Sequence, residues 1–228
     1  MQSSEAKLIL PNHQSHVDPM LIAVIIEKYC DFVPVVSENY LKIPIIKYCL
    51  KSWNAIAVSD LSAGSKDTDV LKKISSQVQD ALNKRMSVIL YPSGQITRTP
   101  IEKIYNKQSA YKIVSNLPEN TKVIGVRISG LWGSMWSVAW IGKQPNFVLT
   151  FLKGIFYFFA NFIFFLPKRT VTFEFVNITE EARLKAMMNR GAFNSFMGEF
   201  YNVNGPEIAT YIKHVFYLPE FDRKYPIT

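Results

Sequence analysis

The chain has 228 residues, 48% of them apolar and 19% charged, enough to fill a core and too apolar for a disordered tail or linker. Lysine and arginine outnumber aspartate and glutamate by 26 to 18, and the net charge of +8 suits a polyanionic neighbour: anionic lipid, an acidic carrier protein or nucleic acid. Two cysteines, Cys30 and Cys49, are too few for a disulfide framework and are expected as buried thiols in a reducing compartment.

The first ten residues lack the basic and long apolar runs of a secretory signal. Lys7–Leu10 reads as a short strand ending at Pro11-Asn12. After a polar loop, Pro19 opens an apolar helix, since a proline in the first turn sacrifices no hydrogen bond. Asp31–Val36 is strand-like, Tyr40–Leu50 is apolar at helical spacing, and Ala55–Val58 is a short strand. Thr68–Met86 is the clearest amphipathic helix, with Val70, Leu71, Ile74, Val78, Ala81 and Leu82 on one stripe. Ser87–Leu90 is a buried strand running into the loop YPSGQITRTP; a helix is expected over Ile101–Ser115 and a strand over Lys122–Ile128. Thr170–Val176 alternates as a strand, and Thr179-Glu180-Glu181 begins a helix. Strands and helices alternating with short connections predict an α/β fold, a single domain with a largely parallel central sheet flanked by helices. Its motif-bearing core is 7–130, an aromatic segment occupies 147–166, and strand and helices fill 170–228. No internal repeat or low-complexity linker is visible.

The loop Asn12-His13-Gln14-Ser15-His16-Val17-Asp18 carries an imidazole in a strand-to-helix turn and a carboxylate five residues on, at the helix start. A carboxylate placed against one ring nitrogen fixes the tautomer and leaves the other nitrogen as a base. The bland reading is that Asp18 caps the helix and His13 is a polar turn residue. A metal site built from His13, His16 and Asp18 lacks further ligands, since His214 is isolated, and no metal is expected.

The His-x4-Asp spacing within NHQSHVDP resembles the first motif of the glycerolipid (lysophospholipid) acyltransferases, the PlsC-like family. Trp53–Asp60 (WNAIAVSD) resembles its second block, Leu90–Arg98 (LYPSGQITR) its third and Val123–Gly130 (VIGVRISG) its fourth. The third block departs from the common aromatic-Pro-Glu-Gly run: Ser93 stands where the family has glutamate, and the usual arginine falls on Ile96 or Gln95, with Arg98 at a different offset. Family members commonly carry membrane-associating helices ahead of the first motif, whereas twelve residues precede His13 here. That leads to the expectation of an excised domain, an incomplete reading frame or another anchor. The wording YPSGQITR with NFIFFLPKRTVTFEF resembles the acyltransferase part of the 2-acylglycerophosphoethanolamine acyltransferase/acyl-carrier-protein synthetase fusion enzymes.

The resemblance implies that His13 takes the proton from a lysophospholipid hydroxyl as it attacks an acyl thioester, with Asp18 holding the ring. It implies Asn12 and Ser15 lining the same turn. Ser93, Gly94, Gln95 and Arg98 are implied at the acceptor head group, with Arg127 a weaker member. The donor would be acyl-carrier protein or acyl-CoA, with no metal or redox cofactor, and an acyl-carrier-protein synthetase would be fused or separate.

Phe147–Leu166 holds eight of the sixteen phenylalanines and as one helix would reach about 30 Å. Lys153, Gly154 and Asn161 inside it argue against spanning, and a buried core segment is the bland alternative. Interfacial insertion is the reading adopted, with Lys143, Lys168 and Arg169 meeting lipid phosphates. Trp132, Trp136 and Trp140 recur every four residues and are expected on one helical face at headgroup depth. Together these predict a peripheral, monotopic protein at the cytoplasmic face of a membrane. Two rivals fare worse: basic residues are dispersed without a nucleic-acid recognition motif, and no serine sits in a Gly-x-Ser-x-Gly elbow. A lipid-binding or regulatory module on the same fold, impaired by the altered third block, is the second hypothesis.

Overall fold

A computed structural model describes residues 5–58 and 68–215. In chain order it runs β1 (Lys7–Pro11), α1 (Asp18–Ile26), β2 (Phe32–Ser37), α2 (Pro44–Ser52), β3 (Ile56–Val58), α3 (Thr68–Asn83), β4 (Ser87–Ile89) and α4 (Ser109–Ser115). There follow β5 (Lys122–Ser129), α5 (Phe147–Ala160), β6 (Thr172–Asn177), α6 (Thr179–Met188) and α7 (Arg190–Tyr201). The six strands form one sheet in the order β3-β2-β4-β1-β5-β6. All neighbours are parallel except β5–β6, where Arg127 faces Glu174 in antiparallel register.

The strands alternate their apolar side chains between two layers, as the pleat requires. Leu8, Leu10, Val33, Val88 and Val123 enter one core with Ile74, Val78 and Leu82 of α3, Ile113 and Val114 of α4, Ala182 of α6 and Phe193 and Met197 of α7. Ile9, Phe32, Ile89, Val126 and Ile128 enter the other, covered by Ile22, Ala23 and Ile26 of α1. Sequence-adjacent residues on opposite faces, both buried, are what a sheet with helices on both sides demands.

Several expectations change. Helix 101–115 shrinks to α4: Tyr105 has φ +50, and Asn194 of α7 donates to the Tyr105 and Lys107 carbonyls at 2.8 and 3.0 Å. Those carbonyls find partners on another element, so the segment stays irregular. The Tyr40–Leu50 stretch is cut by Pro44 into a 3-10 turn (Glu38–Lys42) and α2, with Ile43 extended as a residue before proline should be. Trp132, Trp136 and Trp140 share no helical face. The chain there is a series of turns with a short 3-10 segment at Val138–Trp140, and Trp132 is buried against Ile96, Val138 and Ala139. Cys30 and Cys49 are free and half-buried rather than buried. Ser59 and Asp60 of the second block lie outside the described residues.

The aromatic segment is a 14-residue helix, about 21 Å long, and not a 20-residue one. It stops where Asn161 donates to the Tyr157 and His214 carbonyls and where Phe162 and Ile163 take positive φ. Among the described residues no helix is long and apolar enough to cross a membrane. Arg169, read as a lipid-phosphate contact, instead donates to the carbonyls of Gly130 and Thr210 at 2.8 and 2.7 Å, while Lys143 and Lys168 are exposed.

Candidate active site

The loop between β1 and α1 leaves the carboxyl end of a central parallel strand, the end of such sheets where ligands bind. Asn12 anchors its start: the carboxamide donates to the Ile128 carbonyl at 3.0 Å and accepts the Ile128 N–H at 2.6 Å, tying β1 to β5. Asn12 therefore shapes the loop and has both ends of its amide engaged.

Asp18, 0% exposed, organises the turn. Oδ2 accepts the N–H groups of Gln14 and Ser15, the latter at 3.0 Å, and Oδ1 accepts the Ser15 hydroxyl. The same Oδ2 lies 3.2 Å from His13 Nδ1. A buried carboxylate satisfied by backbone amides stays where it is put. Facing it, Nδ1 carries the proton, and Nε2 is left with its lone pair. No hydrogen bond engages Nε2 among the described residues. The His13 ring lies on that of Tyr91, centroids 4.4 Å apart. Its peptide is held at both ends: the N–H donates to Glu102 Oε2 at 3.3 Å and the carbonyl accepts the Thr97 N–H at 2.7 Å.

His16 serves a different purpose. Its ring nitrogens meet the Tyr40 hydroxyl at 3.0 Å and the Pro145 carbonyl at 2.9 Å, and burial pushes its pKa below the usual imidazole range. With both nitrogens engaged, this imidazole fixes the loop. Phe147 at the start of α5 packs edge-on against it at 5.7 Å.

The third block turns at the end of β4. Gly94 takes φ +62, which a side chain would strain, and its N–H donates to the Tyr91 carbonyl at 3.0 Å. Ser93 is buried and donates to the Gln95 carbonyl at 3.0 Å. Lys107 Nζ lies 3.9 Å from where a Gly94 Cβ would stand, so a cation covers this turn although neither arginine position of the block has one. Gln95 is half-buried and Arg98 exposed; no described contact joins Arg98 to His13. Arg127 is already engaged. Its guanidinium makes a bidentate pair with Glu174 (2.7 and 2.6 Å) and lies over the Phe200 ring at 4.5 Å.

Sequence reasoning missed Glu102 and Lys107, both inside the segment expected as helix. Glu102 is buried, and burial pushes its carboxyl up to about 8, partly offset by the nearby Ser93 hydroxyl and the His13 N–H. Burial likewise drives the Tyr91 and Tyr201 phenols well above their ordinary value. Glu102 also lines a cavity of about 210 Å³ with Asn12, Gln14, Arg127, Glu174 and Glu207. His13 and Asp18 do not line it.

Three comparisons bear on this arrangement. A search of curated proteins finds no match. Among solved structures, the chain is similar to the crystal structure of the 1-acyl-sn-glycerophosphate (LPA) acyltransferase, PlsC, from Thermotoga maritima, at 16% identity and a TM-score of 0.45. The alignment covers 83% of this chain and 66% of that one, so the chain spans about two thirds of that enzyme. The Acyltransferase family model matches residues 1–168, the part that holds the His13–Asp18 loop and the Ser93–Gly94 turn, and the chain belongs to the Acyltransferase family.

Proposed function

We propose that the protein transfers an acyl group from a thioester to the free hydroxyl of a lysophospholipid, with His13 as general base and Asp18 as its orienting carboxylate. The observation that carries this reading is the buried Asp18 carboxylate 3.2 Å from His13 Nδ1, with Nε2 left as the acceptor. Nε2 takes the hydroxyl proton as the oxygen bonds to the thioester carbonyl carbon. The tetrahedral oxyanion collapses, the C–S bond breaks, and the imidazolium returns its proton to the thiolate. No metal or redox group is called for. Both carrier protein and CoA are acidic, in keeping with the net charge of +8.

The acceptor's phosphate is assigned to the Gly94 turn under Lys107, with Gln95 and exposed Arg98 on the same loop. α5 and the turn that follows it are assigned to the membrane surface at a cytoplasmic face. Phe156, Phe159 and Phe164 are 64%, 69% and 87% exposed, and apolar side chains left in water at this density mark a surface that something covers. The Phe147–His16 contact sets that surface beside the catalytic loop, where a lysolipid would enter. The resemblance to the fusion enzymes makes lysophosphatidylethanolamine the first acceptor to test, with an acyl-carrier-protein synthetase, fused or separate, as donor supply.

The test is thiol release from acyl-carrier protein and acyl-CoA thioesters with detergent-dispersed lysophosphatidylethanolamine, using His13→Ala as control. Release that depends on lysolipid and vanishes in the variant supports acyl transfer. Silence across several lysolipids from folded protein overturns it in favour of a lipid-binding module impaired at Ser93.

A further inference from the structure

The His13 peptide rests on a carboxyl group that neither the motif nor the acyl-transfer chemistry requires. Glu102 Oε2 accepts the His13 N–H at 3.3 Å, while Oε1 is buried and makes no hydrogen bond. Beside it, Ser93 occupies the block-three position that lacks a carboxylate. Glu102 is itself held from α7: its N–H donates to Asn202 Oδ1 and its carbonyl accepts from Asn202 Nδ2, both at 2.9 Å. The preceding Tyr201 donates its hydroxyl to the Leu10 carbonyl at 2.9 Å. One end of α7 thus grips both the strand that delivers His13 and the residue that holds the His13 amide. No ion pair engages Glu102 among the described residues, and a buried carboxyl with one orphaned oxygen costs the fold free energy. Such a group persists where it does something else.

We propose that Glu102 is a positioning residue for His13, fixing through the His13 amide the backbone from which the imidazole reaches Asp18 and the substrate. The proposal rests on the acyl-transfer reading for its kinetic consequence but not for its structural one. The groups that face Glu102 are His13 and Asp18 from the loop, Tyr91 and Ser93 from the end of β4, and Tyr201 from α7. Burial keeps the carboxyl protonated at neutral pH, up to about 8. Ionisation above that point places a negative charge at the His13 amide and near Asp18.

The experiment has two arms. In the first, the His13 backbone amide is followed by NMR from pH 6 to 9.5 in the wild type and in Glu102→Gln. The expected result is an inflection near pH 8 in the wild type that is absent in Glu102→Gln. The same inflection in both proteins, or none in either, overturns the proposal. In the second arm, Glu102→Ala lowers kcat by about tenfold or more with the lysolipid KM unchanged, and Glu102→Gln stays within about threefold of wild type at pH 7. A folded Glu102→Ala with wild-type kcat overturns it. Should Glu102→Ala not fold, Glu102→Gln and the amide titration still decide. If the wild type shows no lysolipid-dependent turnover, the acyl-transfer reading fails, and the amide titration alone judges Glu102.

Discussion

Replacing Asp18 with asparagine exchanges one buried oxygen for an NH2 group and removes a charge. The remaining oxygen can keep facing His13 Nδ1 and the Gln14 and Ser15 amides, and the NH2 then meets Ser15 Oγ, whose hydroxyl can turn to accept. The fold survives, with charge-assisted bonds weakened by about 1–2 kcal/mol in sum. Catalysis suffers more. The imidazolium formed as Nε2 takes the hydroxyl proton would lie against the Asp18 carboxylate, with Nδ1 and Oδ2 3.2 Å apart. Unit charges about 4 Å apart at an effective dielectric near 20 attract by about 4 kcal/mol. Losing that attraction lowers kcat by about a thousandfold. The assay is lysolipid-dependent thiol release under saturating thioester, with the melting temperature as the check on folding. A folded Asp18→Asn enzyme within tenfold of the wild-type kcat would refute the assignment of Asp18.

Four further outcomes follow from the same structure. Lys107→Ala raises the lysolipid KM several-fold and leaves kcat near wild type, because on the proposed reading a cation over the Gly94 turn would bind the head group without touching the reacting atoms; an unchanged KM removes Lys107 from the site. Phe156→Ser with Phe159→Ser weakens flotation with anionic vesicles by about tenfold or more while the melting temperature holds, since both rings are exposed; unchanged flotation places the membrane contact elsewhere. His16 is held neutral in the fold, so its contribution is present above the unfolded imidazole value near 6.5 and lost as pH falls through it. The melting temperature therefore drops from pH 7 to 5.5, and less steeply in His16→Gln. Glu102 has the opposite sign. Its folded value of about 8 lies above the unfolded 4.5, so stability falls as pH rises between them. Glu102→Gln then melts above wild type at pH 8 and not at pH 4.5.

The sequence showed the loop because its signals are local. Pro19 marks the helix start, and five residues of separation bring His13 and Asp18 together across one turn. Arg127, a weaker head-group candidate in the sequence, pairs with Glu174 in the cross-strand contact that an added antiparallel edge provides. Glu102 and Lys107 were not legible, because Ile101, Ile104 and Tyr105 have helical spacing. What overrides that spacing is Asn194 and Asn202, about ninety to a hundred residues further on, binding the backbone of Glu102, Tyr105 and Lys107. The tryptophan run failed for a related reason: a four-residue recurrence is also compatible with successive turns, and Gly133, at φ +91, breaks the helix between Trp132 and Trp136.

The support of the site extends beyond the part of the chain that matches the family. That match ends at residue 168, yet three contacts that support the His13 loop come from later residues. Tyr201 holds the Leu10 carbonyl, Asn202 holds Glu102, and Glu207 accepts from both the Gln14 side chain and the Gly130 N–H. Tyr201 ends α7 and Asn202 caps it, and α6 and α7 pack on the sheet through Ala182, Phe193 and Met197. Packing in this layer and geometry at His13 are therefore coupled. A cavity made there, as by Phe193→Ala, costs about 3–5 kcal/mol of stability by itself and also loosens the Asn202–Glu102 grip. Rescue of stability by an unrelated substitution would restore the melting temperature but not the His13 amide position, which separates the two roles.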